Sequence, residues 1–268
     1  MSVADLAKAV ARAAAICCLR AVAAVPAVAE RIPFPRLRRL VATARLPDLT
    51  YAGIFPQAVY SPWRSDAEFR RAFAAVRAHT LVDVYRCYAL WSLVGQAGKL
   101  PPGDILEVGA WRGGSGCLMA LRSRSAGLAG TVYLCDTFRG VAGAGELDSA
   151  YVGGEHADAS EATVAALARR LGLDNVRVLA GVFPAETAHA IERATFRLCH
   201  IDVDVHDSAR ASFDWVWPRL VEGGMVVFDD YGFYSCAGVT RFVNAIAAAP
   251  DRLVLYNLNG HAVVIKLA

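Results

Sequence analysis

The chain has 268 residues, 56% of them hydrophobic, with 28 Lys and Arg against 25 Asp and Glu for a net charge of +3. That length fits one large α/β domain with an appendage, and the apolar share supplies ample core. So mild a positive balance, with no zinc-finger or RNA-binding signature, argues against nucleic acid as a partner.

Residues 1–60 read as a helical arm and connector. The opening stretch "LAKAVARAAAICCLRAVAAVPAVAE" is apolar and Ala-rich, and Ala27-Val28-Ala29 mimics a cleavage site. Arg12 and Arg20 interrupt it before the ~18 residues of a spanning helix are reached. An amphipathic helix that packs on a neighbouring copy, or touches a membrane surface, is expected instead. Arg36, Arg38, Arg39 and Arg45 form a solvated basic cluster between the breaks at Pro33, Pro35, Pro47 and Pro56. The cysteines are Cys17, Cys18, Cys87, Cys117, Cys135, Cys199 and Cys236, an odd set of seven without a C-x-x-C pair. They read as reduced, mostly buried thiols of a cytoplasmic protein.

From residue 61 the pattern changes. Ser65 and Glu68 have capping-box spacing ahead of Phe69, Phe73 and Val76. A second helical stretch carries Leu81, Val84, Tyr88 and Trp91 and ends near Gly95–Gly98. After "LPPGD" short apolar runs alternate with helical segments: "DILEVG", "SGCLMALRSR", "GTVYLCDTF", "SEATVAALARRLGL", "VRVLAG", "FRLCHIDVD", "SARASFDWVWPRL", "MVVFDD". This rhythm predicts a Rossmann-like, doubly wound, mostly parallel sheet covered on both faces. The final segment, "LVLYNLNGHAVVIKL", is two strands joined through Asn259-Gly260, so the seven-stranded sheet should end in an antiparallel hairpin. A nicotinamide-binding domain has no need of that hairpin, and G-x-G-x-x-G is absent. The domain boundary therefore falls between a 1–60 arm and a 61–268 catalytic domain. The rival readings are another nucleotide enzyme on this fold and a non-catalytic assembly partner.

In an open parallel sheet, ligands bind at the carboxyl tips of the strands. "LEVGAWRGGSG" offers Glu107, Gly109, Trp111, Arg112, Gly113 and Ser115 at the first tip. There, glycines permit close backbone approach, and a helix N-terminus attracts a carboxylate or phosphate. The next tip offers Asp136, Thr137 and Phe138, with Asp136 suited to ribose hydroxyls. The third offers Gly181 and Phe183, the latter beside an adenine. Asp202 and Asp204 fall on one face of the fourth strand by alternation, and Asp229 and Asp230 end the fifth. Two unit charges about 4 Å apart repel by about 4 kcal/mol at an effective ε of ~20. Asp202, Asp229 and Asp230 together therefore require a raised pKa, a basic neighbour or a cation. An all-oxygen set selects a hard ion such as Mg²⁺. Asp207 reads as the N-cap of the helix that follows. Tyr51, Tyr60 and Trp63, with the long Gly140–Ala159 connection, are candidates for an acceptor lid.

The stretches "GDILEVGAWRGGSG", "LCDTFRGV", "HIDVDVHDS", "LVEGGMVVFDDYG" and "CAGVTRFV" resemble the macrocin O-methyltransferase (TylF-type) family in order and spacing, from about Ser61 onward. The resemblance implies a class I fold and methyl transfer from S-adenosylmethionine to a sugar hydroxyl of a glycosylated small-molecule acceptor, with Mg²⁺. It implies Asp202, Asp229 and Asp230 as metal ligands. It implies donor binding by Glu107, Gly109, Asp136 and their neighbours, Asp202 included. Asp202 leads as general base, with His156 and His206 as alternatives. Val203, His206 and Asp207 stand where the family has Gly, an aromatic and Glu. A homo-oligomer is compatible with this reading.

Overall fold

A computed structural model of the protein describes residues 44–51, 58–148 and 150–267. The chain divides into two units, Met1–Val59 and Tyr60–Ala268. In the first, Ala44–Arg45 pairs antiparallel with Thr50–Tyr51. The helix expected in the arm, Cys17, Cys18 and the cluster at Arg36, Arg38 and Arg39 lie outside the described residues.

The second unit is built on seven strands: β1 Asp104–Val108, β2 Val132–Asp136, β3 Val176–Ala180, β4 Phe196–Ile201, β5 Leu220–Phe228, β6 Arg252–Asn257 and β7 His261–Lys266. Their order is β3-β2-β1-β4-β5-β7-β6. The first five run parallel, and β7 enters antiparallel between β5 and β6. The hairpin turn is pinned by Asn257, whose Oδ1 accepts from the backbone N–H of Asn259 at 3.0 Å and of His261 at 3.2 Å. Gly260, at φ 99°, supplies the left-handed residue the turn requires.

Six helices cover the two faces: α1 Ala67–Val76, α2 Val84–Ala97, α3 Gly114–Ser125, α4 Glu161–Arg170, α5 His206–Val216 and α6 Ala237–Ile246. Alternation along each strand sorts the core into two layers. Ile105, Leu134, Leu198 and Val227 pack with α1 to α4 around Phe69, Leu90, Leu118 and Val164. Leu106, Cys135, Cys199, Val226 and Phe228 pack with α5 and α6 around Phe213 and Phe242. All six residues of β4 are buried, as a central parallel strand requires.

Helix caps depart from local sequence reading in two places. The cap of α1 is Asp66, whose carboxylate accepts from Phe69 N–H at 2.9 Å. Ser65 instead closes the preceding turn on the carbonyl of Pro62, so the Ser65–Glu68 capping box does not form. At α5 the exposed Asp207 bonds to the ring of His206. The N-terminal amide of α5 is capped from far away by Asp148, at 3.0 Å from His206 N. A carboxylate brought by the fold has displaced the local one. Leu81, 63% exposed, precedes α2 and is not part of its apolar face. Trp63 joins the core edge to face with Tyr85 and Tyr88, and Tyr60 is exposed. Neither residue forms a lid in this arrangement.

Candidate active site

The register of the sheet sets out the site. Val108 pairs with Ile201, and Ile201 with Phe228, so the residues that follow each strand emerge side by side. Those residues are Gly109, Asp202 and Asp229. Asp202 N–H donates to the carbonyl of Val108 at 2.9 Å and Asp229 N–H to that of Ile201 at 3.0 Å. Gly109 has φ 92°, and a Cβ there would overlap the carbonyl of Asp202. Its missing side chain makes room for the protein's own backbone.

Asp202, Asp229 and Asp230 converge: each offers a carboxylate oxygen, and these oxygens lie within 4.8 Å of one another. Burial, then the charges of Asp229 and Asp230, push the Asp202 carboxyl well above the usual range. Burial, then Asp204 and Asp229, do the same to Asp230. Asp229 behaves oppositely. Burial alone would raise it, but hydrogen bonds from His200 and His261, with the charge of Arg86, hold it well below.

Those partners form a polar seam on the α1–α4 face of the sheet. Glu107 and His200 are register partners on β1 and β4. His200 Nδ1 lies 3.0 Å from Glu107 Oε1, and its Nε2 lies 3.3 Å from Asp229 Oδ1. His261 Nε2 reaches the same Oδ1 at 2.8 Å. From α2, Arg86 donates to Asp229 Oδ2 and, at 2.9 Å, to Asp83 Oδ2, the cap of its own helix. Burial works against His200 protonation, yet hydrogen bonds to Asp229 and Glu107 win and raise its pKa to about 10. His261 is lowered, burial there outweighing Asp229. The sequence signal for this seam was faint. His200 and His261 lie in apolar strands, where a histidine reads as core, and Arg86 is 143 residues from Asp229.

Alternation does not extend to Asp204. β4 ends at Ile201, and Asp204 sits in a left-handed turn at φ 65°. Its N–H donates to Asp230 Oδ2 at 2.8 Å, and its carboxylate accepts from Tyr151 Oη at 2.5 Å. Asp202 and Asp204 are brought to one site by this turn, not by a shared strand face. Burial raises the Asp204 carboxyl. His156, at φ 63°, is exposed, and His206 is half-buried with its Nδ1 2.7 Å from Asp207.

At the neighbouring tips Asp136 organises two turns. Its Oδ2 accepts from Trp111 N–H and its Oδ1 from Phe138 N–H, both at 2.7 Å. Trp111 and Phe138 have φ 46° and 51°, conformations these bonds hold in place. Thr137 Oγ1 donates to the carbonyl of Gly140, starting the long connection. Asp158, at that connection's far end, accepts from Trp111 Nε1 at 2.7 Å and from Arg112 at 2.6 Å. Gly113, at φ 80°, caps α3, where a side chain would strike Val164.

Four residues expected to contact the donor have protein surroundings of their own. Glu107 is fully buried, with Oε2 unpartnered beside Gly116. Ser115 is buried inside the first turn of α3. Phe183 is core, edge to face with Trp215 at 5.1 Å, and so not beside an adenine, while Gly181, at φ 142°, lies against Glu186 and Thr187. Among the described residues no helix is long and apolar enough to cross a membrane.

Comparison with known proteins agrees with this geometry. The family model described as Macrocin-O-methyltransferase (TylF) matches residues 65–250. An 8-demethyl-8-(2,3-dimethoxy-alpha-L-rhamnosyl)-tetracenomycin-C 4'-O-methyltransferase of Streptomyces olivaceus is 31% identical over 59% of this chain. The match spans 65% of that relative, just under two thirds of its length. A mycinamicin III 3''-O-methyltransferase of Micromonospora griseorubida is 28% identical over 79% of this chain and 87% of its own length. The solved structure of the O-methyltransferase NovP superposes with a TM-score of 0.60 at 25% identity, covering 71% of this chain and 82% of that one.

Proposed function

The chain belongs to the macrocin-O-methyltransferase (TylF) family, and from that premise we propose that it moves the methyl group of S-adenosylmethionine to a sugar hydroxyl of a glycosylated small molecule, with a hard divalent cation held by Asp202, Asp229 and Asp230. The observation that carries the reading is the convergence of those three carboxylates within 4.8 Å at the sheet's rim. The donor set is all oxygen, and two of its members are driven toward protonation by burial and mutual repulsion. Such a site fits Mg²⁺ or a similar ion.

When bound, such an ion supplies Lewis acidity that makes the acceptor hydroxyl easier to deprotonate. The protein's own residues do the rest. Arg86, His200 and His261 hold Asp229 ionised and fixed. In this reading Asp204 is the base, because Asp202 would be held by the ion. Asp204 is buried enough to have a raised pKa and sits beside Asp230. The hydroxyl proton passes to Asp204, the oxygen forms a bond to the methyl carbon as the sulfur–carbon bond breaks, and S-adenosylhomocysteine leaves. Positioning and electrostatics dominate such a transfer. The turns held by Asp136 are suited to the donor's nucleoside end.

Asp202→Asn tests the assignment best, because among the described residues no hydrogen bond falls on the Asp202 carboxylate. Methyl transfer from labelled donor should disappear, and binding of Mg²⁺, measured by calorimetry, should disappear with it. Chelation should reproduce the loss in the unmodified enzyme. Full turnover after chelation, or in Asp202→Asn, would overturn the metal assignment.

A further inference from the structure

Among the described residues of the Gly140–Ala159 connection, Tyr151 hydrogen-bonds directly to the carboxylate cluster. Tyr151 is half-buried, and its hydroxyl donates to Oδ1 of Asp204 at 2.5 Å. Cys236 Sγ approaches the same oxygen at 3.8 Å. No hydrogen bond from the described residues falls on Asp204 Oδ2. The connection is seated firmly just ahead of Tyr151. Asp148 is 2% exposed, and its carboxylate accepts from His206 N at 3.0 Å and Gly145 N at 3.1 Å. It also occupies the space a side chain on Gly238 would need. Tyr151 N–H then donates to the carbonyl of Asp148 at 3.2 Å. The phenol is thus delivered to Asp204 by a fixed anchor at the N-termini of α5 and α6.

We propose that Tyr151 is a positioning residue for the methyl-transfer reaction, clamping Oδ1 of Asp204 so that Oδ2 is presented to the acceptor hydroxyl. The bond restricts rotation of a side chain whose backbone is already tied to Asp230. The phenol acts through Asp204 and need not touch the donor. The proposal rests on the reading of Asp204 as base, and its test separates the two.

Tyr151→Phe removes the hydroxyl and keeps the ring. With p-nitrophenyl α-L-rhamnoside as acceptor probe, kcat should fall about 10- to 100-fold, as expected when a largely buried acceptor loses its donor. KM for S-adenosylmethionine and binding of S-adenosylhomocysteine should stay within about twofold. In an Asp204→Asn background, Tyr151→Phe should have no further effect on kcat, because coupled residues are non-additive. Independent, additive losses, or a rise in donor KM matching the fall in kcat, would overturn the proposal. A second arm needs no acceptor: hydrogen exchange of backbone amides over 150–156 should quicken in Tyr151→Phe and Asp204→Asn alike, and no further in the pair. Unchanged exchange in Tyr151→Phe would overturn the clamp whatever the chemistry. If the unmodified enzyme does not methylate the probe, the sugar-acceptor reading fails alone, and the exchange arm decides the clamp.

Discussion

Gly109 and the carbonyl of Asp202 occupy adjoining space so closely that no β-carbon fits between them. The turn after β1 and the turn after β4 are therefore packed backbone to backbone. Gly109→Ala combines that overlap with a φ of 92°, which alanine resists. A loss of about 3 kcal/mol is expected from the two effects together. Denaturant unfolding measures the loss. Displacement of Asp202 should also weaken Mg²⁺ binding in titration calorimetry.

Arg86 is the cation that sequence inspection around the carboxylates does not reveal. Its side chain is 11% exposed, between Asp83 and Asp229. Removing one partner of a buried ion pair leaves an uncompensated charge, and Arg86→Met should destabilise the protein by about 3 kcal/mol or more. Arg86→Lys should recover only part of this, because an ammonium cannot fork to both carboxylates. Added Mg²⁺ should raise the melting temperature of Arg86→Met by more than that of the parent. An equal rise in both would show that Arg86 and the ion do not share the same negative charge.

The five described cysteines are buried, and burial pushes the Cys117 thiol up to about 12, with Glu107 adding to the effect. Thiolates are the reactive form. At pH 8.5 the native protein should therefore resist iodoacetamide at Cys87, Cys117, Cys135, Cys199 and Cys236. The same residues should label fully once the protein is unfolded. Peptide mass spectrometry reads each position separately.

Asp251 is held down to about 2 by its hydrogen bonds from Arg252 and, behind them, from Trp217. Its folded value lies below the usual carboxylate value, so the bond network contributes stability above about pH 4. That contribution is lost as the pH falls through about 2. Asp251→Asn should melt below the parent at neutral pH, and the gap should close in acid. Because Trp217 Nε1 donates to Asp251 Oδ2 at 2.9 Å, tryptophan emission should report the same change.

Much of the architecture was legible because it depends on local pattern. Apolar runs such as "FRLCHI" cannot be anything but central strands when helices alternate with them. Asn259-Gly260 marks the hairpin that sets β7 antiparallel. The meeting of Asp202 with Asp229 and Asp230 was also legible, since it follows from two neighbouring parallel strands ending together. What escaped depends on contacts between distant segments. Asp148 caps α5 across 58 residues, overriding the nearby Asp207. Arg86 descends on the carboxylates from a helix before the sheet begins. Phe183 follows a strand as a ligand-facing residue would, and only the packing of Trp215 shows it to be core. Asp204 left its expected strand face because β4 stops one residue before Asp202.

The chain of contacts Glu107–His200–Asp229–His261, with Arg86 at its side, runs through an otherwise apolar layer. The contacts interlock, so altering one member leaves a buried neighbour without that partner and without solvent to compensate. A single substitution in the set should therefore need a compensating change beside it. The segment between Gly140 and Ala159 is where a change of acceptor can be accommodated, provided Asp148, Tyr151 and Asp158, the residues that tie it to the rest of the domain, are kept.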